Sequence, residues 1–238
     1  MKRIYKQAAV DAADGGWRVL LDGKPMRTPA KTLLMVPTRP LAEEIAAEWR
    51  AVPENAEINT AHLPLTRLAA TGLDRVAARQ AEIVADTAKY AGSDLLCYRA
   101  TAPDSLVKAQ REAWQPLLDW AAERYGARLT VVEGISFVEQ PEDAKDRLRD
   151  AVAAHSDSAL AALYNLTHTS GSLVIALAVS DGRLTAQEAV AAAQVDELYQ
   201  AARWGDDALA RQHREGVAKD IEAGARFLAL LEKERLRG

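Results

Sequence analysis

The sequence has 238 residues, of which 49% are hydrophobic and 27% are charged. This length allows one large domain or two modest ones, each with a buried core. The 30 basic and 34 acidic residues give a formal net charge of −4. Since no cluster of Lys and Arg accompanies this balance, the composition argues against a nucleic-acid-binding protein.

Cys97 is the single cysteine, so an internal disulfide is impossible and a reducing compartment is indicated. Residues 1–6 lack the apolar core of a signal peptide and the Ser/Arg-rich run of a transit peptide. We therefore expect a bacterial cytoplasmic protein, or a mitochondrial matrix protein if a precursor segment has been removed. The most apolar segment, residues 159–179, contains Asn165 and His168 among other polar residues, which argues against a membrane span.

The first 60 residues have the pattern of β structure followed by one helix. Strands are predicted at residues 4–12, 17–21 and 31–36. Asp22-Gly23 provides the positive φ angles of a tight hairpin turn. Thr38 is the predicted cap of a helix whose apolar face comprises Leu41, Ile45 and Trp49. These elements predict a small N-terminal domain at residues 1–60, with one sheet and one helix in two layers.

From residue 61 the hydrophobic period changes from two to 3.6, which predicts a larger helical domain at residues 61–238. Helices are expected at about 105–125, 141–154, 158–179, 185–203 and 206–234. Pro116 should kink or divide the first of these. Residues 129–138 form a candidate strand pair that could return to the N-terminal sheet. The predicted fold class is α+β.

No catalytic or nucleotide-binding motif is present. A nucleophile elbow, a dinucleotide fingerprint and a P-loop are all missing from the sequence. His168 is interpreted as a packed or capping histidine, and Cys97 as a packed thiol, because neither has the neighbours that would activate it. We predict no cofactor and no metal site. The alternative is a small-molecule enzyme that uses His168 or Asp94 in a groove between the domains.

The helix predicted at residues 185–203 carries the most informative surface. At 100° per residue, four residues should face the core: Val195, Leu198, Tyr199 and Ala202. Glu197 and Trp204 then point outward together, with Asp196 in an intermediate direction. A carboxylate beside an exposed aromatic ring is typical of protein-binding hot spots. The alternative is that Trp204 packs under the following helix and the two acids only solvate their helix.

The remaining tryptophans are ambiguous as contacts. Trp49 lies on the predicted core face of its helix, which favours burial over partner contact. Trp17, in a strand before the hairpin, is equally compatible with either role. Trp114 and Trp120 cannot both face one stripe of their helix, unless Pro116 changes its course.

Several motifs occur in a characteristic order along almost the whole chain. They are the segment from Gly16-Trp17 to Lys31, Ala47-Glu48-Trp49, Pro64-Leu65-Thr66-Arg67-Leu68, the segment from Ala91 to Arg99, Pro116-Leu117-Leu118-Asp119-Trp120, Gly171-Ser172-Leu173, Asp196-Glu197-Leu198-Tyr199-Gln200 and Trp204-Gly205. With this set the chain closely resembles the mitochondrial and alphaproteobacterial F1 ATP synthase assembly chaperones that act on the α subunit. It departs from that family at Ala70, where Asn is frequent, and at Leu209, where an acidic residue is frequent.

The resemblance implies an assembly chaperone without a cofactor or a reaction. Its partner would be the free F1 α subunit, whose apolar interface it would mask until β subunits displace it. We expect a monomer that contacts this partner through Asp196, Glu197, Trp204, Trp17 and Trp49. A structural subunit retained in the finished ATP synthase is a further alternative.

Overall fold

The computed structural model describes residues 2–232, and their arrangement confirms the predicted α+β class. The described residues form two compact units. The N-terminal unit comprises residues 2–80, 156–162 and 226–232, and the helical unit comprises residues 81–155 and 163–225. The N-terminal unit thus continues past residue 60 and includes two segments from later in the chain.

A small antiparallel sheet opens the N-terminal unit. Its strands are β1 (Ala8–Ala13), β2 (Gly16–Leu21), β3 (Lys24–Pro25) and β4 (Met35–Val36). β2 lies at the centre and pairs with the other three strands. Asp22 and Gly23 have φ angles of 48° and 76°, which confirms the predicted hairpin turn between β2 and β3. The strand predicted at residues 31–36 is shorter than expected, since only Met35–Val36 is extended.

The helix that follows the sheet forms as the sequence predicts. Helix α1 (Arg39–Ala51) begins after Thr38, whose side chain accepts a hydrogen bond from the backbone N–H of Leu41. Its buried face includes Leu41, Ile45 and Trp49. A 3-10 turn (Thr60–His62), helix α2 (Pro64–Thr71) and a π turn (Gly72–Val76) complete this part of the unit.

The helical unit is built mainly from α-helices. They are α3 (Ala77–Ala88), α4 (Asp104–Tyr125), α5 (Glu142–Ala153), α6 (Asp157–Ser170), α7 (Leu173–Ser180), α8 (Ala186–Ala193), α9 (Val195–Trp204) and α10 (Ala208–Glu232). The first residues of α3 and α6 and the last of α10 belong to the N-terminal unit. Two 3-10 turns, Lys89–Gly92 and Leu95–Cys97, lie between α3 and α4.

The segment at residues 129–138 does not contain the expected strand pair. Its single strand, β6 (Val132–Glu133), pairs in parallel with β5 (Tyr98–Arg99) of the same unit. The prediction that this segment returns to the N-terminal sheet is therefore wrong. Parallel pairing needs a long crossover, and α4 supplies it.

Two helices that the sequence predicts as single are divided. Gly171, with a φ of 70°, ends α6, and the Ser172 side chain caps α7. Gln194, with φ −117° and ψ 25°, separates α8 from α9. In contrast, α4 continues through Pro116 without division. The predicted end of the last helix, residue 234, lies outside the described residues.

Candidate functional site

Helix α9 is a surface helix with no buried residue. The prediction that Val195, Leu198, Tyr199 and Ala202 face the core is wrong for Leu198, which is 46% exposed, and for Ala202, which is also exposed, whereas Val195 and Tyr199 are half-buried. A break at Gln194 precedes this helix, and the buried side chain of Gln194 donates from Nε2 to the Arg214 carbonyl at 2.9 Å. The break prevents α9 from continuing the axis of α8, so a single helical wheel cannot describe both.

Two polar contacts connect α9 to α4 and fix its direction. The Gln110 side chain is buried in α4. Its Nε2 donates to Asp196 Oδ1 at 2.7 Å, and its Oε1 accepts from the Ala100 N–H at 2.7 Å. The Ser105 and Tyr199 hydroxyl oxygens lie 2.5 Å apart. Because both atoms of the Gln110 amide are engaged, its orientation is set and so is the position of Asp196.

The two neighbouring carboxylates of α9 therefore differ in their surroundings. Asp196 is half-buried and accepts the hydrogen bond from Gln110, whereas Glu197 is exposed. Both lie in the first turn of α9, where the helix dipole favours negative charge. Of this pair, Glu197 is the one that is open to an approaching molecule.

Large apolar side chains are exposed at the end of α9 and the start of α10. Trp204 is 72% exposed and Leu209, at the start of α10, is 79% exposed. The alternative that Trp204 packs under the following helix is thus wrong. Asp206 fixes the intervening segment by pairing with Arg211 and Arg214, and these guanidinium groups hold the pKa of its carboxyl below the usual range. We call Glu197, Leu198, Trp204 and Leu209 the α9 surface.

The other two predicted contact residues lie in the N-terminal unit. Trp17 is half-buried in β2, with the Arg39 guanidinium 5.4 Å from its ring centroid. Trp49 is buried, and its Nε1 donates to the Thr66 hydroxyl at 3.0 Å. This burial corrects the assignment of Trp49 as a partner contact, since its ring contributes to the core.

Trp114 and Trp120 have different environments on the same helix. Trp114 is buried and donates from Nε1 to the Ala192 carbonyl at 2.7 Å. Trp120 is half-buried and packs edge-on against Tyr125, with ring centroids 5.4 Å apart. The two rings therefore face different directions, as the helical spacing requires.

A cleft of about 440 Å³ lies beside α9 within the helical unit. Its lining includes Tyr98, Trp114, His168, Asp196 and Glu197. His168 Nδ1 lies 3.1 Å from the Tyr90 hydroxyl oxygen, and its ring packs on Tyr164. Burial lowers the pKa of His168, so the imidazole is predominantly neutral at pH 7.

The other two candidate catalytic side chains serve the core. Asp94 is fully buried and accepts backbone hydrogen bonds from Leu96 and Val174, at 3.1 and 3.0 Å, so it anchors the start of α7. Burial raises the pKa of Asp94 to about 6. Burial also raises the pKa of the Cys97 thiol to about 12, which keeps it protonated and unreactive. These groups have structural roles and the geometry supplies no activated nucleophile among them.

In residues 2–232, no group of three His, Cys, Asp or Glu side chains is placed to hold a metal ion. Within the same range, none of the helices combines the length and apolar composition that crossing a bilayer requires.

Sequence reasoning missed several residues of this region. Gln110 has no motif that marks it, because its importance arises from a contact 86 positions away with Asp196. Leu198 was assigned to the core. Leu209 departs from a family pattern, and its exposure has no signal in the neighbouring sequence.

The comparisons with known proteins agree on one class. The model of the ATP12 chaperone protein family matches residues 2–122. The crystal structure of Atp12 from Paracoccus denitrificans shares 40% sequence identity, covers 97% of this chain and 98% of that one, and superposes with a TM-score of 0.89. The Atu1473 protein from Agrobacterium tumefaciens shares 39% identity over 97% of this chain and 86% of its own, with a TM-score of 0.90.

A more distant relative is the mitochondrial protein atp12 of Schizosaccharomyces pombe. It is 23% identical over 215 residues, which are 86% of this chain and 74% of the relative. The α+β fold and the similarity to these proteins together identify the chain as a chaperone. The chain belongs to the ATP12 chaperone family, which confirms the resemblance found in the sequence.

Proposed function

We propose that this chaperone binds the free α subunit of F1 ATP synthase, covers its apolar subunit interface and is displaced when β subunits arrive. Family membership supports the general role. The α9 surface is the observation that carries the proposal, because it exposes Trp204, Leu198 and Leu209 in a short segment that also exposes the carboxylate of Glu197. Apolar patches with a charged rim mark protein-interaction sites.

Mass action explains how such a protein prevents aggregation without a chemical step. A partner that binds only the folded subunit stabilises it by RT ln(1 + [L]/Kd), about 2.7 kcal/mol when its concentration is a hundred times Kd. Displacement needs no ATP if β binds the same interface more tightly. The proposal therefore includes no cofactor and no catalysis.

Different residues of the α9 surface have different roles in this proposal. Trp204 is the apolar anchor, since exposed tryptophans are the residues most enriched in binding hot spots. Glu197 meets basic groups on the client and steers its approach. Asp196 contributes less directly, because its hydrogen bond with Gln110 positions the helix that carries the other two residues.

Trp17 is a second proposed contact, in the N-terminal unit. Its ring is half-buried and is partly covered by Arg39, so only part of it is open to a partner. We propose that the chain acts as a monomer, in the cytoplasm of a bacterium or the matrix of a mitochondrion. The mitochondrial description of the S. pombe relative supports the second compartment.

Co-expression with isolated F1 subunits tests the proposal. The chain is expressed with α alone and with β alone, and the soluble fraction of each is measured, followed by capture through an affinity tag on the chain. We expect α to become soluble and to be captured, and β to remain unaffected. A chain that leaves α insoluble would contradict the proposed function.

The variant Trp204→Ala connects this result to the α9 surface. Because Trp204 is exposed, the substitution should leave the unfolding temperature close to that of the wild type while weakening capture of α by about 2 kcal/mol. Trp120→Phe, a change at a half-buried tryptophan of α4, is the matched control and should leave capture unchanged. If purified ATP synthase contained this chain in stoichiometric amounts, that result would instead support the alternative that the chain is a structural subunit of the finished enzyme.

A further inference from the structure

The loop at residues 130–140 presents a second group of exposed apolar side chains. Ile135 is 98% exposed, Phe137 is 72% exposed and Val131 is 38% exposed. A β-branched residue and a phenylalanine this open to water are unfavourable for the isolated chain, and contiguous apolar side chains on a surface mark an interaction site.

This loop has a fixed base. The buried side chain of Gln140 accepts from the Thr130 N–H at 2.7 Å and donates to the Thr130 carbonyl at 2.9 Å, which closes the loop at both ends. Within it, β6 pairs with β5, and the Gly134 N–H donates to the Arg99 carbonyl at 2.7 Å. Compact loops with closed ends are frequently functional. The loop thus holds Ile135 and Phe137 outward on an ordered support.

The loop is connected through β5 to the cleft beside α9. Val132 of β6 pairs with Tyr98 of β5, and Tyr98 lines the same cleft as Glu197. Seven large apolar side chains are strongly exposed in the described part of the chain. Six of them belong to this loop or to the α9 surface: Val131, Ile135, Phe137, Leu198, Trp204 and Leu209.

Each of the two regions also carries an exposed glutamate. Exposed Glu133 precedes the apolar residues of the loop, as exposed Glu197 precedes Trp204 on α9. Both therefore fit an apolar surface that carries basic groups at its rim.

We propose that the 130–140 loop is a second docking element for the same client, the free F1 α subunit, which it contacts through Ile135 and Phe137. This inference rests on the proposed function. The client then contacts two separate apolar groups of the helical unit, and two linked contacts bind more tightly than either alone.

The double variant Ile135→Ser/Phe137→Ser tests this inference in the full chain. Both side chains are exposed, so the variant should fold and melt like the wild type. Its affinity for purified α subunit, measured by biolayer interferometry, should fall by about tenfold or more. Ile4→Ser is the matched control, because Ile4 is 90% exposed but belongs neither to the loop nor to the proposed contact residues, and its affinity should be unchanged.

The possible results are distinguishable. If the wild type captures α and the double variant captures it equally well, the loop inference is wrong and the proposed function stands. If the wild type does not capture α, the proposed function fails, and the loop inference fails with it. If the double variant keeps its affinity but converts a dimer to a monomer in sedimentation velocity, the loop binds a second copy of this chain and the inference is likewise wrong.

Photocrosslinking provides a direct measurement. With p-benzoylphenylalanine in place of Phe137, irradiation of the complex should attach the chain to α. The same substitution at Ile4 should give no crosslink. If the chain with p-benzoylphenylalanine at position 137 binds α with normal affinity but gives no crosslink, the inference is contradicted.

Discussion

Two short helices of the helical unit, α7 and α9, show opposite ways of attaching a helix. Every residue of α7 from Leu173 to Val179 is buried, and the Ser172 side chain caps it by accepting from the Ile175 N–H at 3.1 Å. Helix α9 has no buried residue and is connected by hydrogen bonds between its side chains and those of Gln110 and Ser105. Burial stabilises the fold, whereas these few polar contacts set a direction.

This difference separates the two kinds of effect that a substitution can have. Changes in α7 should report on folding, because they remove contacts from a close-packed interior. Changes in α9 should report on partner binding, because its apolar residues already contact water and its polar contacts determine where they point. The predictions below test that separation.

The largest effect is expected from Ile175→Ala in α7. Ile175 is fully buried, so the substitution leaves a cavity and should lower the free energy of unfolding by about 2–5 kcal/mol. The matched change Leu198→Ala removes a similar side chain from α9, where the loss should be about 0.5 kcal/mol or less. Urea unfolding followed by circular dichroism measures both. Comparable losses of unfolding free energy in the two variants would contradict the distinction between a helix that stabilises the fold and a helix that serves binding.

The pH dependence of the free energy of unfolding should report the titration of Asp94, which anchors the start of α7. Burial raises its pKa to about 6 in the folded chain, above the value in the unfolded chain. Between about pH 4 and pH 6 the folded state therefore retains a proton that the unfolded state has lost, and the stability contributed by Asp94 falls as pH rises through this window. The decrease should be about 3 kcal/mol in total.

Comparison with Asp94→Asn isolates this effect from the other carboxylates. Asparagine does not titrate, so the free energy of unfolding of the wild type minus that of the variant should decrease from pH 4 to pH 6 and then level off. Urea unfolding at intervals across this range measures the difference. A difference that stays constant over the range, or rises with pH, would contradict the assignment.

Local signals in the sequence were sufficient for the N-terminal elements. The Asp22-Gly23 turn and the Thr38 cap each depend on neighbouring residues, and both formed as predicted. The division of α6 from α7 also had a local signal in Gly171-Ser172, which the prediction of one helix at 158–179 did not use. These local features were therefore accessible from the sequence, whereas the extent of the N-terminal unit beyond residue 60 was not.

The geometry of the site was less accessible, because non-local contacts determine it. The break at Gln194 follows no Gly or Pro, and the bond from its side chain to the Arg214 carbonyl stabilises a conformation that its neighbours do not dictate. The helical wheel correctly placed Glu197 and Trp204 outward. It failed for Leu198 because it assumed a core beneath that side of α9, where the side chain is instead exposed.

A smaller effect on binding is expected when the hydrogen bond between α4 and α9 is replaced by a repulsion between two carboxylates. Gln110→Glu places a carboxylate against Asp196, and their repulsion should displace α9 and weaken binding of α subunit by about tenfold. Adding Asp196→Asn restores a donor and an acceptor, since the asparagine amide can donate to the new carboxylate. The double variant should therefore recover most of the affinity, as measured by biolayer interferometry.

That recovery is what distinguishes positioning from a general loss of structure. A Gln110→Leu control removes the amide altogether, and Asp196→Asn cannot compensate for it. If Asp196→Asn improved both variants equally, or neither, the hydrogen bond between Gln110 and Asp196 would not be what orients α9.

The smallest effect is expected from single charge removals within α9, and it should differ between neighbours. Glu197→Gln removes an exposed charge, so it should lower the association rate with α by a few-fold and reduce its dependence on salt. Asp196→Asn retains an oxygen that accepts from Gln110 Nε2, so the helix stays in place and the rate should change less. Stopped-flow mixing at low and high ionic strength measures both. Should Asp196→Asn slow association as much as Glu197→Gln does, the half-buried carboxylate contributes its charge to the encounter, and α9 presents an acidic pair to the client.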